Sequence, residues 1–169
     1  MAVSFLRDLG PCEVLWNGSV VGVTYGGVKV KVDDQDAEIK EDGTGVIPVD
    51  AVFTGRKISD IEVPITRFTL DQLDAIFHGA AISGNTLVIS NVVGESMYDS
   101  SQPLILKPLI NDVASVDATE WIELYKTFPT AKIELSYDNQ NQRVAKFGFR
   151  VFPSHESGLK GEFGTFGHA

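Results

Sequence analysis

The sequence is short of several things that would point to chemistry. Cys12 is the one cysteine in 169 residues, so no intrachain disulfide framework can be built. The three histidines, His78, His155 and His168, show no metal-ligand spacing, and with a lone cysteine the usual zinc set cannot be assembled. Basic residues number 14 against 23 acidic ones, for a formal net charge of −9. A protein whose main task is gripping phosphates calls for clustered Lys and Arg, so that class is disfavoured. A surface that meets DNA and repels it stays compatible. No apolar run reaches the roughly 18 residues that a membrane-spanning helix needs. Met1 to Leu9 carries Asp8 and lacks the basic and apolar regions of a signal peptide, so synthesis in the cytoplasm is expected.

Catalytic motifs are missing too. Gly55-Arg56-Lys57 lacks the upstream glycine of a phosphate-binding loop, and there is no G-x-S-x-G elbow. Gly161, Gly164 and Gly167 recur every third residue, but no strand feeds them into a helix as a phosphate cradle requires. Asp34, Asp36 and Glu38 alternate as calcium ligands do. Ile39, however, stands where such a loop has its glycine, and Gly45 where it has its bidentate Glu. A solvated acidic loop is the simpler reading. Asn17-Gly18-Ser19 matches a glycosylation sequon, but with no secretory signal expected a hairpin turn explains it fully. Cys12 sits beside Glu13, without the basic neighbours that activate a thiol. No catalytic, cofactor or metal site is expected, and the chain reads as a non-enzyme.

What is present is strand signal. Val14 to Trp16 and Val20 to Val23 flank Asn17-Gly18, a strong hairpin signature. Val28 to Val32 alternates valine and lysine, the pattern of a strand with one buried face. An acidic, breaker-rich stretch follows from Asp33 to Gly45. Val46 to Thr54 and Ile58 to Phe68 come next, the second alternating Ile61, Val63 and Ile65 and holding Pro64, which suggests an edge or a bulge. One helix is well signed: Thr69 caps it, Leu70, Leu73, Ile76 and Phe77 share a face, Asp71 suits the dipole and Gly79 ends it. Further strands are expected over Thr86 to Val93, Leu104 to Leu109, Ala131 to Tyr137 and Val144 to Phe152. The last two are joined by the turn-forming Asp138-Asn139-Gln140-Asn141. A short helix is expected around Trp121, Leu124 and Tyr125, capped by Asp117 or Thr119.

The sum is a mainly β chain in a single domain over 1–169: a β-sandwich or barrel with one flanking α-helix at about 69–78 and a long β–β loop at 33–45. Extended arms are expected at 1–10 and 154–169, the second because the chain after Pro153 turns Gly-rich and polar and reads as lying outside the core.

The order of elements from Gly22 to Phe77 resembles that of bacteriophage tail tube (major tail) proteins. The likeness rests on Gly26-Gly27-Val28-Lys29-Val30 leading into the acidic stretch, then Pro48-Val49-Asp50 and the corner Thr54-Gly55. The alternating strand Ile58 to Arg67 and the helix Thr69-Leu70-Asp71-Gln72-Leu73 complete it. Phe149-Arg150-Val151-Phe152-Pro153 is similar to the family's closing strand; Gly94 to Thr127 falls outside the likeness.

The resemblance implies a structural subunit of a virion tail, made in the host cytoplasm. Six copies would form a ring whose joined sheets close a barrel, and rings would stack into a tube with an acidic lumen. DNA would pass through without specific binding, and no membrane is involved. Implied partners are further copies of the chain and the tail terminator, initiator and tape-measure proteins. Asp33, Asp34, Asp36, Glu38, Lys40, Glu41 and Asp42 become the candidates for contact with the adjacent ring. Phe5, Leu6, Phe163 and Phe166 become the candidates for arms that reach neighbouring subunits. The alternatives are a related tube, terminator or distal tail protein, or a β-sandwich module that binds carbohydrate or protein through Trp16, Tyr25, Trp121 and Tyr125.

Overall fold

The structure is a computed structural model that describes residues 11–59, 61–133 and 145–167. Its strands are β1 (Cys12–Trp16), β2 (Ser19–Val20), β3 (Val23–Thr24), β4 (Val32–Ile39), β5 (Asp50–Ile58), β6 (Ile61–Arg67), β7 (Ala80–Ser83), β8 (Thr86–Ile89), β9 (Gln102–Ile110), β10 (Val113–Ala114), β11 (Ile122–Lys132), β12 (Ala145–Phe152) and β13 (Gly164–Phe166). The helix α1 covers Leu70–Ile76. The main sheet runs β2-β1-β9-β11-β12-β6-β3, with β10 beside β9 and β13 beside β11; β4 with β5, and β7 with β8, form separate antiparallel pairs. The architecture is mainly β, a curled half-barrel carrying one helix.

The curl follows from one short crossing. Ser19 to Thr24 leaves β1 and arrives beside β6, so a single stretch of chain serves both ends of the sheet. Gly22 makes the corner at a φ of 152°, and a Cβ there would stand 2.7 Å from the carbonyl oxygen of Arg67. Thr24 Oγ1 donates to the Cys12 carbonyl at 2.9 Å, which ties β3 back to β1. Pro64 points its carbonyl at Tyr25 N–H, on the side where the β3–β6 register shifts, so its missing donor falls beside a bulge.

Alternation places the core inside the curl. Ile61, Val63 and Ile65 of β6 and Phe147, Phe149 and Val151 of β12 point inward with Val14, Leu104, Leu106 and Leu124. The helix closes one flank. Thr69 and Gln72 form a reciprocal capping box, Ile76 is buried, and Phe68 and Phe77 set their edges against Phe147 at 6.4 and 6.5 Å.

Four expectations are corrected. Val28 to Lys31 forms no ladder, and Val32 opens β4 instead: Lys29 makes a single bridge to Glu62, while Val28 and Val30 pack on the core. The acidic stretch is not a loop over its first half, because Val32–Ile39 pairs with Asp50–Ile58. The helix expected around Trp121 is strand β11, preceded by a short 3-10 turn at Ala118–Glu120 that Asp117 caps. A bulge between Leu124 and Thr127 turns both inward, which mimics helical spacing. Finally, the segment after Pro153 belongs to the body. Ser154 is buried and exchanges backbone hydrogen bonds with Glu162 and Gly161, Phe163 packs on the core, and β13 pairs with β11. Gly164 is there for close approach, since a Cβ would run into the Glu123 backbone. The turn at 138–141 lies outside the described residues.

Candidate self-association surface

The β4–β5 hairpin projects from the body. Except for Asp33 and Gly55, which are half-buried, and Ile58 at its root, its described side chains are exposed on both faces. Paired residues share a face. One face therefore carries Asp34, Asp36 and Glu38 with Arg56, Phe53 and Ala51; the other carries Asp33, Gln35, Ala37 and Ile39 with Lys57, Val52 and Asp50. The register shifts between Gln35 and Asp36, where Thr54 is the extra residue of a bulge. Beyond the strands, Val49 N–H reaches the Ile39 carbonyl at 2.9 Å, and Asp42–Thr44 makes a 3-10 turn.

Charge pairs hold this hairpin in register. Arg56 grips Asp34 across the ladder, and Asp33 accepts from Ser59 Oγ at 2.7 Å and meets Lys31 at 2.9 Å. The hydrogen bond from Ser59, then that from Lys31, holds the Asp33 carboxyl below its ordinary range; the Arg56 guanidinium does the same for Asp34. Lys40 pairs with Glu38 at 2.8 Å. These contacts explain how an acidic segment lies flat as a strand without repelling itself.

The sequence candidates are thus brought together in part. Asp33, Asp34, Asp36 and Glu38 lie on β4, Lys40 follows it, Glu41 precedes the 3-10 turn and Asp42 opens it. Asp33 faces away from the other three. Phe5 and Leu6 lie outside the described residues. Phe163 is committed to the core of its own chain, whereas Phe166 is 51% exposed. Sequence reasoning missed the apolar half of the hairpin. Val46 is 87% exposed, Ile47 67% and Phe53 60%, with Val49 and Val52 beside them. The apolar run at 46–49 was the available signal, but periodicity reads such a run as buried.

A groove of about 670 Å³ separates the hairpin root from the C-terminal segment, with Val32, Phe53 and Ile58 on one wall and Pro153, Phe163 and Phe166 on the other. Burial pushes the Cys12 thiol up to about 11, the direction that disfavours a nucleophile. His155 stacks on Tyr98, and His78 pairs with Glu95 at 2.6 Å. Trp121 gives its ring N–H to the Ser115 carbonyl at 2.8 Å with Lys107 over its face, and Trp16 gives its own to the Thr127 carbonyl at 3.4 Å. Tyr25 is exposed. Among the described residues no group of three or more His, Cys, Asp or Glu could hold a metal ion, and no helix is long and apolar enough to cross a membrane. No protein-family model matches the chain, and no curated protein does.

Proposed function

We propose that the protein is a structural subunit that assembles with copies of itself, in the manner of a tail tube protein. The observation that carries this reading is the projecting hairpin with apolar side chains on solvent. A two-stranded ribbon on its own is marginally stable in water. Its outer edges also offer unpaired backbone groups, a template that natural sheets blunt or cover. Here the exposed strands carry Phe53, Val52 and Ile39, and the tip carries Val46 and Ile47. Docking on another copy removes that surface from water and pairs or shields those edges.

The fuller reading adds the resemblance. Six subunits close a ring, rings stack through the hairpins, and the tube conducts DNA past an acidic lumen. A contact that repeats head to tail gives a ring if its rotation closes and a filament if it does not. The net charge of −9 suits a lumen along which phosphates slide.

Light scattering of the full chain against Val46→Asp/Ile47→Asp tests the proposal. Concentration-dependent assembly of the wild type, lost in the variant with its fold intact, is expected. A wild type that remains monomeric and binds a sugar ligand would instead favour the binding module.

A further inference from the structure

Resting on that self-association reading, we propose that the acidic hairpin of one copy docks on a basic cleft of the next, between Lys29 and Lys146. Because Val63, Ile65, Phe147 and Phe149 point inward, the intervening positions Glu62, Pro64, Lys146, Gly148 and Arg150 form the outer face of β6 and β12. Lys29 joins this face through its bridge to Glu62. A cleft of about 170 Å³ opens there, lined by Gly26, Gly27, Lys29, Glu62, Pro64 and Lys146. Both lysines are exposed, and neither has an ion-pair partner among the described residues. Glu62 offsets one of them, and the cleft keeps a net positive charge in a strongly acidic chain.

The hairpin has the complementary excess. From Asp33 to Ile58 the acids are Asp33, Asp34, Asp36, Glu38, Glu41, Asp42 and Asp50, against Lys40, Arg56 and Lys57. Asp33, Asp34 and Glu38 are taken by Lys31, Arg56 and Lys40, whereas Asp36 and Asp42 have no cation among the described residues. One chain thus holds carboxylates without cations on its ribbon and, on its sheet, two lysines against the single carboxylate Glu62. The cleft has room for a carboxylate side chain and not for a strand. Two different patches meeting make a head-to-tail contact that repeats from copy to copy. The apolar tip supplies burial, and the charges fix orientation and register.

Charge exchange on the full chain, read by sedimentation velocity, tests this. Asp36→Lys/Asp42→Lys reverses the ribbon and Lys29→Glu/Lys146→Glu reverses the cleft; thermal unfolding verifies that each is folded. Each variant alone is expected to associate roughly tenfold or more weakly, since like charges then meet across the contact. An equimolar mixture is expected to associate again, because each reversed surface finds its opposite. A misfolded protein could not produce that recovery. Wild-type assembly that both exchanges leave unchanged overturns this inference and spares the proposed function, as does a mixture that does not recover. A wild type that never associates overturns both. Binding of a short DNA duplex that Lys29→Glu/Lys146→Glu abolishes, with self-association intact, assigns the cleft to nucleic acid and overturns the inference.

Discussion

Asp34 and Arg56 stand directly opposite each other on the β4–β5 ladder, and the guanidinium donates to both carboxylate oxygens, with the Nη2 contact at 2.9 Å. The same guanidinium lies 5.9 Å from the centre of the Phe53 ring on the same face. A planar bidentate pair is more particular about geometry than a lysine contact, so this one pins register next to the bulge. The ribbon reaches solvent already shaped, which lowers the ordering cost of docking.

The hairpin should therefore be insensitive to mild acid. Asp33 and Asp34 have carboxyl groups held below the ordinary Asp range by Ser59 with Lys31, and by Arg56. A depressed folded value stabilises above the unfolded value and is lost as pH falls through the folded one. Amide exchange across Val32–Ile39 should thus keep its protection from pH 8 down to about 5, allowing for the intrinsic rate, and lose it below about 4, the ordinary carboxylate range. Loss between pH 7 and 5 would contradict the assignment.

Phe147→Ala should cost about 3–5 kcal/mol in urea unfolding. Its ring is fully buried and takes the edges of Phe68 and Phe77 from the helix flank. Val46→Asp, at the exposed tip, should change monomer stability by no more than about 0.5 kcal/mol. Equal effects of the two would place the tip inside the fold rather than outside it.

Gly22→Ala should destabilise by roughly 1–3 kcal/mol. The corner that carries the chain from β1 to β6 has a positive φ, and the new methyl would meet Arg67 O and Ile65 Cγ2, each at 2.7 Å. Thermal unfolding checks it. Gly18→Ala also meets a positive φ but no neighbouring atom, so the cost beyond backbone strain should appear only at Gly22.

Thr69→Ala should lower stability by about 1 kcal/mol, because it removes the oxygen that accepts from Gln72 N–H at 3.3 Å. Gln72→Ala should act in the same direction by releasing Thr69 N–H. Chemical denaturation of the two single variants and the double variant would show coupling if the box works as a unit; strict additivity would count against it.

What was legible in the sequence was whatever is encoded locally. The capping residues around Leu70–Ile76 and the alternation of Ile61, Val63 and Ile65 each lie within a few neighbours, and both elements formed as their patterns implied. The acidic strand was illegible because its stabilising partner is remote: Asp34 finds Arg56 on another strand, and composition alone reads the stretch as a loop. Trp121, Leu124 and Tyr125 misled for a different reason: their spacing is that of a helix face, yet Trp121 closes a 3-10 turn and the other two lie on strand β11. The glycines after Pro153 looked like freedom, while Gly164 permits contact with Glu123. Within the candidate surface, the charged half was visible and the apolar half was not. Val46 to Val49 has the composition of core, and only the three-dimensional arrangement puts it on solvent.

The measurement that bears most directly on the central claim is negative-stain electron microscopy of the full chain at high concentration, beside Val46→Asp/Ile47→Asp. The account predicts stacked rings or hollow tubes for the wild type and separate small particles for the variant. Compact single particles from both proteins at every concentration would contradict it.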